Sequence, residues 1–206
     1  MYARSTTFHT QPGSIDDGIR FVTDEVMPAI TGMDGCIGLS MLVNRDSGRC
    51  IVTSAWRDEP SMRASEQAVK PLRDRGTMVF GADPAVQQWE IALVHRDHRT
   101  SDSTYARCTW LSVDPARAEA AVDHFRAIVL PALEELDGFC SASLMVSRET
   151  GQAVGSVTWD SKGALSASRK RAASLRGTVA DAIGGRIDQV EEFELALAHL
   201  RVPELA

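Results

Sequence analysis

The sequence lacks several patterns whose absence narrows its function. Its four cysteines, Cys36, Cys50, Cys108 and Cys140, include no Cys-x-x-Cys pair, which argues against a zinc knuckle or a thioredoxin-like redox site. Lysine and arginine total 22 against 28 aspartates and glutamates, a net charge of −6. Without a basic excess to attract a polyanion, no nucleic-acid partner is expected. No apolar run approaches the roughly 20 residues that span a bilayer, so no membrane role is expected. The opening Met1-Tyr2-Ala3-Arg4-Ser5-Thr6 has no signal-peptide apolar region, and the expected location is cytoplasmic. There the thiols should be reduced and should act as small apolar side chains. No Gly-x-Ser-x-Gly elbow supports a serine hydrolase, and no Gly-x-Gly-x-x-Gly follows a strand to cradle phosphate. His95-Arg96-Asp97-His98 has two histidines at ligand spacing but no third ligand nearby, so no metal is expected.

What is present is a globular composition, 44% hydrophobic and 24% charged, organised as a repeat. Tyr2-Ala3-Arg4-Ser5-Thr6 returns as Tyr105-Ala106-Arg107-Cys108-Thr109, and Val26-Met27-Pro28-Ala29-Ile30 as Val129-Leu130-Pro131-Ala132-Leu133. Asp34-Gly35, Arg45-Asp46-Ser47-Gly48 and Trp56 match Asp137-Gly138, Arg148-Glu149-Thr150-Gly151 and Trp159 in the same register. After one extra residue, Trp89-Glu90-Ile91 matches Phe193-Glu194-Leu195. The chain is therefore read as two domains, 1–96 and 104–206, joined by a polar linker at 97–103.

In the first copy, residues 2–9 read as a strand. Ser14 is placed to cap a helix whose apolar positions are Ile15, Ile19, Val22, Val26 and Ile30. Two apolar runs follow, joined by Asp46-Ser47-Gly48 as a short hairpin loop. Pro60 opens a second helix near residues 61–79, and a last strand covers 86–95. The order βαββαβ, twice over, is the ferredoxin-like arrangement of an antiparallel sheet with helices on one face. The other face needs cover. The expected fold class is α+β: two tandem ferredoxin-like domains packed sheet to sheet as an intramolecular pseudo-dimer. A further homodimer stays open.

These features resemble the antibiotic biosynthesis monooxygenase (ABM)-like domains of the dimeric α+β barrel superfamily. The likeness rests on Pro28/Pro131, Asp34-Gly35/Asp137-Gly138, the two hairpins and Trp56/Trp159, and covers nearly the whole chain twice. It implies a cofactor-independent monooxygenase acting on a small aromatic or polyketide-like compound, with no cofactor. The alternative is a non-catalytic binding or scaffold protein of the same fold. The haem-degrading branch fits poorly, because its ligand histidine belongs on the second helix. Neither second helix here, near 61–79 and 162–183, contains one.

The resemblance implies a pocket between sheet and helices. In the second copy it would draw on Trp110, His124, Phe125, Trp159 and Phe193, and in the first on Phe8, Phe21, Trp56, Met62 and Trp89. His124 is the candidate base, as the one group among them that titrates near neutrality. The competing reading makes these aromatics ordinary core and His124 a surface or hydrogen-bonded helix residue. The duplicated pairs Arg4/Glu90 and Arg107/Glu194 are expected to meet across neighbouring strands and fix their register. Arg169-Lys170-Arg171 with Arg176 reads as a solvated helix face.

Overall fold

The computed structural model describes residues 1–97, 104–200 and 202–205. Residues 98–103, most of the expected linker and with it His98, lie outside the described residues. Each copy folds in the βαββαβ order. Strand β1 (Tyr2–His9) leads through a tight turn into α1 (Ile15–Phe21), a π-helical turn (Val22–Val26) and α2 (Met27–Thr31). Pro28 has no N–H and crowds the carbonyl four residues back. The wider π turn immediately upstream accommodates this. The second copy does the same before Pro131, with α5 (Ala118–His124), a π turn (Phe125–Val129) and α6 (Leu130–Glu134). Ser14 does not cap α1: it lies inside a 3-10 turn begun by Pro12, with helical backbone, and its hydroxyl caps nothing.

Strands β2 (Cys36–Asn44) and β3 (Arg49–Trp56) form the expected hairpin. Its turn needs glycine, because Gly48 sits at φ +72° and a Cβ there would strike the Thr10 carbonyl. Asp58 caps α3 (Glu59–Ala64) by accepting from the Ser61 N–H at 2.8 Å, with Pro60 in the first turn. The second helix is not continuous. It breaks at Ser65 and resumes as α4 (Glu66–Phe80), followed by β4 (Ala85–Arg96). The second copy supplies β5 (Tyr105–Ser112), β6 (Phe139–Ser147), β7 (Gln152–Trp159), α7 (Lys162–Ala167), α8 (Arg169–Ile183) and β8 (Arg186–Leu200).

The compact units are not cut where the sequence repeats. One unit is residues 1–89 with 193–202, and the other is residues 90–192 with the terminal residues from Pro203 on. In the first unit β1, β3 and β2 are hydrogen-bonded in that order, with β4 flanking β1 and β8 flanking β2. In the second, β5, β7 and β6 are flanked by β8 and β4. Each last strand is thus shared at its middle. One core gathers Phe8, Ile15, Val22, Leu39, Trp56 and Phe80, and the other Val122, Leu130, Leu133, Phe139 and Leu144. On β1 the face away from the helices is buried as well: Ala3, Ser5 and Thr7 are all below a tenth exposed.

Candidate functional site

Each unit has a cavity between its sheet and helices. Strand alternation explains its floor, since successive side chains point to opposite faces. In the first unit Arg4, Thr6 and Phe8 of β1 line a cavity of about 40 Å³. In the second, Arg107, Thr109 and Leu111 of β5 line one of about 70 Å³. The difference follows from residues 103 positions apart. Phe8 and Phe80 stack with ring centroids 4.3 Å apart, and their counterparts are Leu111 and Ile183. Val52 and Val69 become Gly155 and Ala172. Other changes compensate. The Phe80 ring occupies the space a Cβ would take at Gly18, and Phe8 approaches that of Gly76 to 2.9 Å. The twins of these glycines, Ala121 and Val179, pack against the smaller Ile183. Val22 becomes Phe125, which stands 3.6 Å from where a Cβ on Gly155 would be.

The polar groups differ more. Trp56 is fully buried, and its indole N–H donates to Ser54 Oγ at 3.0 Å. Trp159 is 1% exposed and lines the second cavity, but Val157 replaces the serine, and the Trp159 N–H has no acceptor among the described residues. Val157 is itself a cavity wall. A buried donor without a partner costs about 1–3 kcal/mol.

Two buried arginines anchor the cavity floors. Arg4 donates to Ser65 Oγ at 2.9 Å and pairs with Glu66 at 2.9 Å, while Arg73 also donates to Glu66. The Arg73 hydrogen bond and the Arg4 charge hold the Glu66 carboxyl below its usual value, against the effect of burial. Arg107 donates to Ser168 Oγ at 3.0 Å and to the Leu165 carbonyl at 2.7 Å. Position 66, however, corresponds to Arg169. The carboxylate now comes from β8: Glu192 accepts from Arg107 Nη2 at 2.7 Å and from Arg169 Nε at 3.0 Å. Those bonds, Arg169's first, hold the Glu192 carboxyl below its usual value. Arg176, the twin of Arg73, lines the cavity, and among the described residues makes no hydrogen bond or ion pair. Burial, then the Arg107 charge, pulls its guanidinium below the ordinary value.

The expected site is therefore only partly assembled. The second cavity gathers Phe125 and Trp159. Trp110 is half-buried on the opposite face of β5 from Arg107, Thr109 and Leu111. His124 is half-buried and lines no described cavity, whereas its twin Phe21 lines the first one. Trp56 packs under Arg4, 5.9 Å from ring centroid to guanidinium, outside the first cavity. Trp89 donates to Ser5 Oγ at 2.9 Å, on the strand face away from the helices. Phe193 is buried in the shared part of β8 and lines neither cavity. The expected Arg4/Glu90 and Arg107/Glu194 pairs do not form. Glu90 binds Arg148 and Glu194 binds Arg45, because β4 and β8 have left their own copy by those residues. Arg176 was read as solvated and is instead a cavity residue. The signal that could have found it is the exchange of Glu66 for Arg169 between the copies.

Burial pushes the Cys50 and Cys140 thiols up to about 11, as expected of structural cysteines, and all four cysteines are free. His95 lies between Glu134 and Glu204, each 2.7 Å from a different ring nitrogen. Among the described residues no helix is long and apolar enough to cross a membrane.

Residues 1–71 match the family described as antibiotic biosynthesis monooxygenase. Over its full length the chain is 51% identical to Uncharacterized protein Rv2557 of Mycobacterium tuberculosis strain H37Rv, covering 92% of that protein. It is 50% identical to Uncharacterized protein Rv2558 of the same strain, covering 87%. Its fold is similar to that of an anthrone oxidase-like protein, with a TM-score of 0.64 over 96% of this chain and 95% of the other, at 16% identity.

Proposed function

The chain belongs to the antibiotic biosynthesis monooxygenase family, and on that premise we propose that its second unit binds and oxygenates a small, largely apolar molecule bearing an ionisable oxygen. The observation that carries this reading is the buried Trp159 N–H, which has no acceptor among the described residues and belongs to the wall of a largely apolar cavity. Native proteins rarely leave such a donor unmet. A phenol or enol oxygen on the ligand would meet it. Arg107 and Arg176 line this cavity, and the one carboxylate bonded to Arg107, Glu192, is shared with a third guanidinium, Arg169. The net positive field favours the oxyanion over the neutral oxygen.

The chemistry needs little more from the protein. Loss of the proton to water gives an enolate whose carbon is electron-rich. That carbon reduces dioxygen and forms a C–O bond, giving a hydroperoxide. Loss of the second C–H proton with cleavage of the O–O bond leaves a carbonyl. The balance is CH₂ + O₂ → C=O + H₂O. The walls, Leu133, Val157, Leu175 and Ile183 among them, would keep water from the carbanion.

A second reading, a binding protein without a reaction, has one observation in its favour: no histidine or carboxylate lines the cavity among the described residues. Oxygen uptake with a panel of anthrones and quinols separates the two. We expect uptake above the uncatalysed rate, reduced at least tenfold by Trp159→Phe in a protein with an unchanged melting curve. Binding of anthrones without uptake would favour the second reading. Uptake insensitive to Trp159→Phe would remove the role given to this indole.

A further inference from the structure

We propose that the ligand of the second cavity is a carboxylic acid, held through its carboxylate by Arg176. This deepens the reading just given and rests on it, adding an anionic group distinct from the reacting oxygen. The argument comes from comparing the two copies. In the first, Arg73 donates to Glu66, and its charge is met within the protein. In the second, the residue in place of Glu66 is Arg169, whose side chain goes to Glu192. Glu192 in turn is shared with Arg107. Arg176 is left half-buried against an apolar cavity, with no hydrogen bond or ion pair among the described residues.

A guanidinium stays charged at neutral pH. Removing it from water without a partner costs free energy, which a ligand anion would restore. Its planar fork suits two parallel hydrogen bonds to a carboxylate. The surroundings select a single carboxylate over a phosphate. Arg107 is already bonded to Ser168, Leu165 and Glu192, and Arg186 to Asp188. Beyond Arg176 the lining offers a further anion only the Trp159 N–H and the Thr109 hydroxyl, and walls such as Leu133, Val157 and Leu175 donate nothing, so the larger, more highly charged phosphate would bury unmet oxygens.

The test uses the full chain and two probes of nearly equal shape, 1-naphthoate and the neutral 1-naphthamide, titrated by calorimetry at neutral pH. We expect naphthoate to bind at least tenfold more tightly, with an advantage that shrinks as salt rises. Arg176→Met should abolish the preference, and Arg176→Lys should keep part of it. Equal affinities in the wild type, or a preference that survives Arg176→Met, would overturn the carboxylate while the cavity reading stands on naphthamide binding. Failure of both probes to bind the folded wild type would overturn both. Should Arg176→Met not fold, the salt dependence and the lysine variant decide: a preference indifferent to salt and unchanged by lysine counts against Arg176.

Discussion

The two helix–sheet cavities descend from one pattern and have diverged in opposite directions. The first is closed by a stacked Phe8–Phe80 pair, its tryptophan N–H meets Ser54, and its second arginine is spent on Glu66. The second has Leu111 and Ile183 in place of the stack and, among the described residues, an unmet Trp159 N–H and an arginine with no hydrogen bond or ion pair. Packing and polar satisfaction make the first a core. The same positions, left open and unsatisfied, make the second the candidate site.

The contrast can be broken most forcefully at the charge partners. Arg4 and Arg107 are equally buried, each 3% exposed, but Glu192 is the less exposed carboxylate, 26% against 46% for Glu66, so water screens the loss of its charge less. Glu192→Gln should cost about 3 kcal/mol in urea unfolding, since it strands a buried cation. Glu66→Gln should cost about 1 kcal/mol or less. Equal losses would mean that the two floors are not different in kind. Next, Phe8→Leu combined with Phe80→Ile should open the first cavity at a cost of about 2 kcal/mol. The same exchange should raise naphthamide stoichiometry from one per chain to two, read by calorimetry. Gly155→Val should do the reverse, lowering binding at least tenfold, because its side chain must enter the space beside Phe125.

A smaller effect is expected with pH. Both Glu192 and Glu66 have carboxyls held below their usual value. The stability each contributes is therefore complete above the unfolded value of about 4.3, and is lost as pH falls through the folded value. Wild type and Glu192→Gln should accordingly converge in acid, and a gap that persists at low pH would point to packing rather than charge. The smallest effect belongs to His124→Ala, expected to change stability by less than about 0.5 kcal/mol and to leave probe binding alone. A large loss of oxygen uptake in that variant would restore the histidine as a base.

Most of the architecture was legible in the residues. Pro28 and Pro131, the Asp-Gly turns and the two hairpin glycines mark element ends by local chemistry, and local chemistry survives in any context. The site was legible only in fragments. Phe125 and Trp159 were found because large aromatics at sheet and helix positions must line whatever lies between them. Trp110, one residue out of phase with Arg107, Thr109 and Leu111, was misplaced because strand period alone does not say which face meets the helices. His124 stood out for its titration range, which says nothing of direction. Arg176 was hidden in a run of basic residues whose other members, Arg169 and Arg171, are exposed.

The sequence by itself determined the duplication, the βαββαβ order and the hairpin turns, since these depend on backbone freedom and apolar period within a few residues. Tertiary structure alone decided which charges meet. Arg107 and Glu192 are 85 residues apart, and their pairing depends on β8 changing unit at its middle. The same crossing takes Glu90 and Glu194 away from the arginines of their own copies. It also leaves Arg176 with no hydrogen bond or ion pair among the described residues, a consequence of packing that no spacing of letters encodes.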